Sequence, residues 1–310
     1  MKILITDSLF IFSEHEKMLK DAGFEIERLD KPHATEDELI KAIKGKDGYI
    51  LGGIEDVTEK VIDAADKLKA IVFTGIGYKD HIPAWQYATK KGIVIANTPS
   101  APTHAVSEWA LTMALAMNRG IFELGRTGQK EFMTTKGLEG QQVGIIGLGH
   151  IGRHIAEMLP VFRSAGVSYH SLHRHKESEQ SLGLVHKELS QLLAESDVVF
   201  LCVSRDAGEG FMNKEKFAQM KDGALLVSFM SSGIVDENAL LEALKSGRIR
   251  AVSDNPMKNP EFKDLPLSNW YCFNGSNAFN TFPELKLTSD MATQSMINLL
   301  KTGKDQYKVN

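Results

Sequence analysis

Short apolar runs alternate with amphipathic stretches along the first third of the chain. Between the apolar runs, apolar positions recur at the three- and four-residue spacing of a helix. Strands that alternate with helices in this way form βαβ units around a parallel sheet. The chain therefore begins with a predicted α/β domain. Its predicted strands are residues 2–6, 24–29, 48–51, 70–73 and 92–96.

A second series of strands and helices begins at "GQQVGIIGLG". Further apolar runs of strand length follow it along the chain, so a second run of strands with helices between them is predicted. The predicted strands are residues 143–146, 167–170, 198–203, 224–229, 249–253 and 270–273.

One long helix is predicted between the two series, starting near Pro102 and running through "HAVSEWALTMALAMNRGIFELG". It is apolar on more than one face, which is typical of a helix buried between domains or between subunits. We therefore predict a homodimer that forms through residues 105–117. A last helix, near 291–300, has no strands of its own and is expected to pack on the first domain.

Composition narrows the classes of partner. The 310 residues are enough for two domains, and a net charge of −4 gives no reason to expect nucleic acid or an anionic membrane as partner. The longest apolar stretch, 105–122, is interrupted by Glu108, Asn118 and Arg119, so it is not predicted to span a membrane. A small-molecule substrate is the expected partner.

The expected location is the cytoplasm. The opening "MKILITDSLF" lacks the apolar core and cleavage pattern of a signal peptide. Cys202 and Cys272 both lie in apolar, strand-like runs, which suits two buried thiols in a reducing compartment, although a disulfide is the alternative. No metal site is predicted.

The motif "GLGHIG" places Gly147, Gly149 and Gly152 between a predicted strand and a predicted helix. In that context the first glycine permits a tight turn and the second lets the backbone approach a pyrophosphate. The third allows close packing of helix and strand. The pyrophosphate then lies at the helix N-terminus. A structural turn without ligand is the alternative, and dinucleotide binding is the prediction.

The next strand ends in "VSYHSLHRHK", where an NAD-binding domain usually has an acid for the ribose 2′-hydroxyl. His170 or Ser171 occupies that position, and no carboxylate appears before Glu177. His173 and Arg174 follow as cationic donors of the kind that a 2′-phosphate needs. We predict NADP in preference to NAD, with NAD possible, against the alternative of a solvated basic loop.

Two further turns are candidates for substrate binding. "FTGIGYKDH" follows a buried strand, and the backbone N–H groups around Ile76 and Gly77 can hold a carboxylate, unless this is a plain turn. "LLVSFMSSGIVDENALLEALKSGRI" predicts a buried strand, an uncharged polar turn, and a helix with Asp236 as its N-cap and Gly247 at its end.

The blocks "TGIGYKD", "GIVIANTPSAPTHAVSEWALTMAL", "GQQVGIIGLGHIGR" and "GIVDENALLEAL" occur in an order that resembles the D-isomer-specific 2-hydroxyacid dehydrogenases over nearly the whole chain. The resemblance implies an α/β fold with two Rossmann-like, doubly wound domains and the cofactor in the cleft between them. It implies an outer, flavodoxin-like substrate-binding domain of residues 1–98 and 284–310. An inserted nucleotide-binding domain of residues 99–283 carries the dimer contact.

Catalysis in this family rests on an arginine, a glutamate and a histidine. Alignment on "GIVDENAL" puts Ser231 at the arginine and "SDNPMKNP" puts Asn259 at the glutamate. For the histidine, "WYCFNGSNAFNT" offers Gly275, Ser276 and Asn277, of which Ser276 is taken as the equivalent. No histidine follows His186 that could replace the last of these. Arg205 is a candidate substitute, although a surface role is its alternative.

The cofactor residues that the resemblance implies are largely retained. Asp254 matches the aspartate that binds the nicotinamide carboxamide, and Val203 and Ser204 match the turn under the adenine and ribose, where the family usually has proline in place of Ser204. The remaining matched positions are Thr103, His150, Ile151, Cys202, Phe229 and Met230.

The predicted function is therefore an NADP(H)-preferring oxidoreductase with changed chemistry, acting on a substrate other than ordinary 2-oxo acids. Two alternatives remain open. One is a catalytically inactive, NADP(H)-binding regulatory protein, and the other is an enzyme that uses bound cofactor without net redox change.

Overall fold

The structure is a computed structural model that describes residues 1–6, 11–31, 33–128, 134–229, 233–273 and 277–310. The chain divides into two compact units. The first comprises Met1–Pro102 with Asn280–Asn310, and the second comprises Thr103–Phe279. The sequence had placed the changes of domain at 98/99 and 283/284, a few residues from these points.

The first unit contains a five-stranded parallel sheet in the order β2-β1-β3-β4-β5. All five strands were predicted. They are β1 (Lys2–Thr6), β2 (Glu25–Leu29), β3 (Gly48–Leu51), β4 (Ala70–Phe73) and β5 (Val94–Ala96). The helices between and after them are α1 (Ser13–Asp21), α2 (Glu36–Ala42), α3 (Glu59–Ala64), α4 (Tyr78–His81) and α5 (Trp85–Lys90).

The second unit contains a seven-stranded parallel sheet in the order β12-β11-β10-β9-β6-β7-β8. Its strands are β6 (Gln142–Ile146), β7 (Gly166–His170), β8 (Val185–His186), β9 (Val198–Leu201), β10 (Leu225–Ser228), β11 (Arg250–Ser253) and β12 (Trp270–Cys272). Six of these strands were predicted, and β8, a pair of residues at the edge, was missed.

The helices of the second unit cover its sheet. They are α6 (Thr103–Asn118), α7 (Ile121–Thr127), α8 (His150–Met158), α9 (Lys176–Leu182), α10 (Leu189–Glu195), α11 (Lys214–Gln219) and α12 (Glu237–Lys245), with 3-10 turns at Leu159–Phe162, Arg205–Ala207 and Pro260–Asp264. Asp236 caps α12 as predicted, since its carboxylate accepts from the amides of Asn238 and Ala239, both at 3.1 Å. Gly247, with a φ of +70°, follows its end. Two parallel sheets interleaved with helices confirm the predicted α/β class.

The prediction of one long helix after Pro102 was wrong, because the segment forms two helices. Gly120 adopts a left-handed φ of +62° between α6 and α7, a conformation that ends helices and that glycine adopts without strain. Within α6, the apolar face is already buried inside the second unit, including Leu111, Met113 and Met117. The apolarity of this helix therefore does not by itself require a second copy of the chain.

The last helix is α13 (Phe282–Thr302), and it packs on the first unit as predicted. Ala292, Met296 and Leu299 join a core with residues of β1, β3 and β4. Met296 comes so close to β3 that a Cβ on Gly48 would lie 2.5 Å from its sulfur. No helix among the described ranges is long and apolar enough to cross a membrane.

Candidate functional site

The carboxyl ends of the strands in the second sheet lie side by side. Ile146 of β6 is in register with the last residues of both β7 and β9, and the alignment continues through β10 and β11 to β12. The order of the strands reverses at β6, and open α/β sheets bind ligands at such a switch point. The residues that follow the strands at this edge are Gly147, Ser171, Cys202, Phe229, Asp254 and Phe273.

The three glycines of the turn after β6 differ in what their missing side chains allow. Gly147 has a φ of +94°, and a Cβ there would lie 2.6 Å from the carbonyl oxygen of Cys202. A Cβ on Gly152 would lie 2.1 Å from the carbonyl oxygen of Gly147, so this glycine lets α8 pack against the turn. A Cβ on Gly149 would meet nothing within 4 Å. Packing therefore accounts for Gly147 and Gly152 but not for Gly149.

The N-terminus of α8 is open to an anion. Gly149 is its N-cap and has no side chain to accept from the first amides, and no acidic residue lies in the first turn, which begins with His150 and Ile151. The start of α6 lies beside it, because the Ser107 hydroxyl approaches the carbonyl oxygen of Ile151 at 3.5 Å. The Thr103 hydroxyl is buried there, and no described group bonds to it. A dinucleotide fits this arrangement, since helix N-termini bind phosphates and the buried hydroxyl gains a partner.

The loop after β7 is organised by a carboxylate that the sequence did not reveal. Glu179 of α9 accepts from Nε and Nη2 of Arg174, at 2.8 and 2.9 Å, and from the Tyr169 hydroxyl at 2.7 Å. The hydrogen bonds from Arg174, and to a smaller extent the one from Tyr169, lower the pKa of Glu179 to about 2. Sixty per cent of the Arg174 side chain is exposed. The predicted phosphate donor is thus held in place by Glu179 and still faces solvent.

The other predicted donors of this loop have mixed surroundings. The Nδ1 atom of His170 lies 3.0 Å from the carbonyl oxygen of Lys187, which fixes its ring. The Ser171 hydroxyl donates to the carbonyl oxygen of His173, whose side chain is exposed. Leu172 is 96% exposed, which leaves an apolar side chain at the rim of the loop.

The turn after β9 closes against the glycine turn, because the Cys202 amide donates to the carbonyl oxygen of Ile146 at 2.7 Å. Val203 and Ser204 follow, and Ser204 accepts from the Ala207 amide at 3.0 Å. Both cysteines are free, as predicted. Burial raises the pKa of the Cys202 thiol, and it raises the pKa of Cys272 to about 11, so neither thiol is a ready nucleophile.

Several predicted residues lie outside what the structure describes. Met230, Ser231 and Ser276 are among them, and of Arg205 only the backbone position in the 3-10 turn is described. Phe229, which precedes the first of these, is buried, and its ring meets that of Trp109 edge-on at 6.4 Å.

In the first unit, the turn after β4 presents free amides. Within the described ranges, no group accepts a hydrogen bond from the amides of Gly75, Ile76 and Gly77. The Ile76 carbonyl oxygen accepts from the Asn97 side chain at 3.0 Å, which fixes the turn. Successive free amides of this kind form anion-binding concavities. The geometry is thus compatible with the predicted carboxylate site.

Asp254 is committed to internal hydrogen bonds. Its carboxylate accepts from the Asn277 amide at 2.9 and 3.1 Å and from the Ala278 amide at 3.0 Å. The residue is 2% exposed, and burial raises its pKa while the amide bonds oppose that rise. The carboxylate thereby ties the end of β11 to the segment after β12.

A family model for the NAD-binding domain of D-isomer specific 2-hydroxyacid dehydrogenases matches residues 111–274, more than half of the chain. The chain belongs to this family. The matched residues lie inside the second unit, which therefore corresponds to the NAD-binding domain of this family.

Similar proteins agree with this family. A hydroxypyruvate reductase of Thermotoga maritima is 34% identical over 225 residues, which are 71% of this chain and 72% of that protein. A D-3-phosphoglycerate dehydrogenase of Methanocaldococcus jannaschii is 33% identical over 280 residues, which are 86% of this chain and 51% of that protein. The chain thus spans about half the length of the phosphoglycerate dehydrogenases that it matches. An acyclic imino acid reductase in complex with NADPH and D-Arg shares the fold, with a TM-score of 0.87 and 22% identity over the whole of both chains.

Within this dehydrogenase fold, Asn259 has a structural role that the sequence did not suggest. Its side-chain oxygen accepts from the Glu261 amide at 3.0 Å and so caps the 3-10 turn Pro260–Asp264. Its own amide donates to Glu237 at 3.3 Å, and Glu237 also accepts from the Lys258 amide at 2.9 Å. The side chain is thus engaged in shaping the turn after β11.

Proposed function

We propose that this protein is an NADP(H)-preferring oxidoreductase that binds the dinucleotide at the glycine turn of the second unit and a small molecule as substrate. The observation that carries the proposal is the contrast between Gly149 and Gly152. Gly152 is explained by packing, whereas the space beside Gly149 serves no internal contact. A pyrophosphate over the uncapped start of α8 accounts for that space.

The proposed contacts extend along the same edge of the sheet. The carboxylate of Asp254 serves the nicotinamide end, together with Phe229, which follows the neighbouring strand β10, and Met230, the next residue in the chain. Cys202, Val203 and Ser204 border the adenosine end. His170, His173 and Arg174 supply side-chain donors for a 2′-phosphate, with Arg174 oriented by Glu179. The Ser171 hydroxyl joins them by giving up its hydrogen bond to the carbonyl oxygen of His173. The imino acid reductase of the same fold holds NADPH, so the architecture accommodates that cofactor.

The proposed chemistry departs from that of ordinary 2-hydroxyacid dehydrogenases. Ser231, Asn259 and Ser276 stand where the family has its arginine, glutamate and histidine, and none of these side chains carries a charge near neutral pH. Hydride transfer needs a bound cofactor and a positioned acceptor. The proposed substrate is therefore a carbonyl compound or an imine that accepts the hydride from the cofactor and takes its proton from water. The engagement of Asp254 and Asn259 in internal bonds favours a second candidate, a protein that binds NADP(H) without turnover.

Titration calorimetry with NADPH and NADH tests the proposal. The wild type is expected to bind both and to bind NADPH more tightly. Gly149→Ala should weaken the binding of both dinucleotides by about tenfold or more, because its methyl group occupies the pyrophosphate position. The melting temperature of this variant should equal that of the wild type. Gly125→Ala is the matched control, since its Cβ also meets nothing within 4 Å. Dinucleotide affinity of Gly149→Ala equal to that of the control would overturn the proposed site.

We also propose that the protein is a homodimer. The dimer is proposed from the resemblance to the family. The apolarity of α6 does not support it, since α6 is largely buried within one chain. Light scattering should report twice the 34.3 kDa mass of the chain at micromolar concentration, and a particle of the single-chain mass would refute the dimer.

A further inference from the structure

His170 ends β7, the strand that lies between β6 and the edge strand β8. Its carbonyl oxygen accepts a hydrogen bond from the Gly147 amide at 2.7 Å, so the residue adjoins the glycine turn. Its half-buried ring is held from the other side, because Nδ1 lies 3.0 Å from the carbonyl oxygen of Lys187, which follows β8. The ring thus has a fixed place beside the turn that would hold the pyrophosphate.

The bond to Lys187 decides which ring nitrogen of His170 carries the proton. A carbonyl oxygen only accepts hydrogen bonds, so Nδ1 is the donor. In the neutral ring Nε2 then has a lone pair and no proton, and no described group bonds to it. A phosphate dianion also only accepts hydrogen bonds. Neutral His170 therefore cannot donate to a 2′-phosphate, whereas the protonated ring can.

Two permanent cations near this ring already have carboxylate partners. Arg174 forms an ion pair with Glu179, and the Lys187 ammonium forms one with Glu195. The titratable group in ring contact is His186 of β8, whose centroid lies 6.1 Å away in a stacked arrangement. A phosphate monoester carries a charge of about −1.5 to −2 at pH 7, so a bound 2′-phosphate favours an additional positive charge at this position.

We infer that His170 selects NADP(H) over NAD(H) only in its protonated form, so that binding of the 2′-phosphate takes up a proton from solvent. The inference rests on the proposed function, because it concerns the same dinucleotide site. The protonated ring donates through Nδ1 to Lys187 and through Nε2 to the phosphate. Histidine is the side chain whose charge changes within the physiological pH range, so the preference for NADP(H) depends on pH.

Binding of NADP⁺ should depend on pH, and binding of NAD⁺ should not. The bound phosphate stabilises the charged ring, so the affinity for NADP⁺ is highest at low pH and falls as the ring loses its proton. NAD⁺ has no 2′-phosphate, so its affinity is independent of this proton. The phosphate itself loses its second proton near about pH 6. Measurements between about pH 6.5 and 8.5 therefore report mainly the contribution of the protein.

Titration calorimetry of the full-length protein in two buffers of different ionisation enthalpy counts the protons that binding takes up. The wild type should take up protons with NADP⁺, at most about one per chain, and none with NAD⁺. Its affinity for NADP⁺, relative to that for NAD⁺, should fall about tenfold between about pH 6.5 and 8.5, the effect of one charge-assisted hydrogen bond.

Three variants assign the proton to one ring. His170→Gln has an amide donor that does not titrate, so it should bind NADP⁺ equally at both pH values and take up no proton. His173→Gln changes the exposed histidine of the same loop, and His186→Gln changes the stacked ring. Both should keep the fall in affinity and the proton uptake. Melting curves and the affinity for NAD⁺ show whether each variant is folded with its site intact.

The inference is wrong if NADP⁺ binding by the wild type takes up no proton, or if folded His170→Gln keeps the pH dependence. In either case both dinucleotides still bind, so the proposed function stands. If neither dinucleotide binds to the wild type, the proposed function fails and this inference fails with it. The proton count on the wild type needs no variant, so it decides the question even if His170→Gln does not fold.

Discussion

The turn after β6 and the turns after β11 and β12 lie on the same edge of one sheet but are built differently. The glycine turn contains one residue, Gly149, whose open space no internal contact explains. In the other region, Asp254 binds the amides of Asn277 and Ala278, and Asn259 caps a 3-10 turn. One region is shaped for a ligand, whereas the side chains of the other are engaged with their own backbone.

Two parts of one ligand site can therefore diverge separately during evolution. The turn after β6 depends on its backbone geometry, and few substitutions of its glycines would preserve that geometry. The region where the family carries out proton transfer depends on individual side chains, and there the alignment of the sequence predicts Ser231, Asn259 and Ser276. The proposed protein thus combines a retained dinucleotide site with altered chemistry.

The largest expected effect comes from restoring the family residues together. The combination of Ser231→Arg, Asn259→Glu and Ser276→His should raise the reduction of 2-oxo acids by about 10²-fold or more, since a positioned acid contributes about 10²–10⁴-fold. Ser231→Arg alone should do little, because such residues act as a unit. The measurement is NADPH consumption with pyruvate, glyoxylate and hydroxypyruvate. If the triple variant folds and binds NADPH but reduces 2-oxo acids no faster than the wild type does, the three positions are not those of the family's catalytic residues.

The next effect separates the two glycines. Gly152→Ala puts a methyl group 2.1 Å from the Gly147 carbonyl oxygen, so the backbone must shift, at a cost of about 1–3 kcal/mol in the free energy of unfolding. Gly149→Ala should change that free energy by less than about 0.5 kcal/mol. Urea denaturation of both variants measures the difference. Equal destabilisation would mean that Gly149 is also a packing residue.

Asp254 should prove structural as well as functional. Asp254→Ala removes the carboxylate that accepts from the amides of Asn277 and Ala278, and Ala278 is 4% exposed, so the variant should lose about 1–3 kcal/mol of stability. Asp254→Asn keeps an accepting oxygen and should lose less, which makes it the matched control. If both variants are as stable as the wild type in urea, the anchoring role assigned to this carboxylate is wrong.

The smallest effect concerns the choice of cofactor. A charged hydrogen bond contributes about 1.5–3 kcal/mol. Because Arg174 also forms an ion pair with Glu179, we expect its contribution to the binding free energy of NADPH to lie at the lower end of this range. Arg174→Ala should weaken the binding of NADPH by about tenfold and leave the affinity for NADH unchanged. Calorimetry on both cofactors measures this, with Lys176→Ala as a control for general loss of positive charge. Equal NADPH and NADH affinity in the wild type would remove the proposed preference.

Much of the fold was predictable because its signals are local. Four-residue apolar runs such as β3 and β4 and the capping aspartate of α12 could be identified directly from the sequence. The break at Gly120 was missed, because helices tolerate an isolated glycine and the residue alone does not mark where a helix ends. The strand β8 has two residues, too few for any periodic pattern.

The site was predictable only where its geometry depends on the backbone. "GLGHIG" identified its turn, but nothing in the sequence pairs Asp254 with the amides of Asn277 and Ala278, since the partners are 23 and 24 residues away. Glu179 lies beyond the end of β7 and reaches Arg174 from α9, so its position after the strand does not indicate the contact. Such contacts are decided by tertiary packing.

The specificity constant for 2-oxo acids should be measured on wild-type protein that calorimetry shows to be saturated with NADPH or NADH. Ordinary enzymes reach about 10⁴–10⁸ M⁻¹s⁻¹. We expect tight cofactor binding together with a value below about 10² M⁻¹s⁻¹, because the loss of the positioned acid and of the charged donor each lowers the rate by about 10²-fold or more. A value above about 10⁴ M⁻¹s⁻¹ would show that the protein performs the ordinary family reaction and would contradict the account.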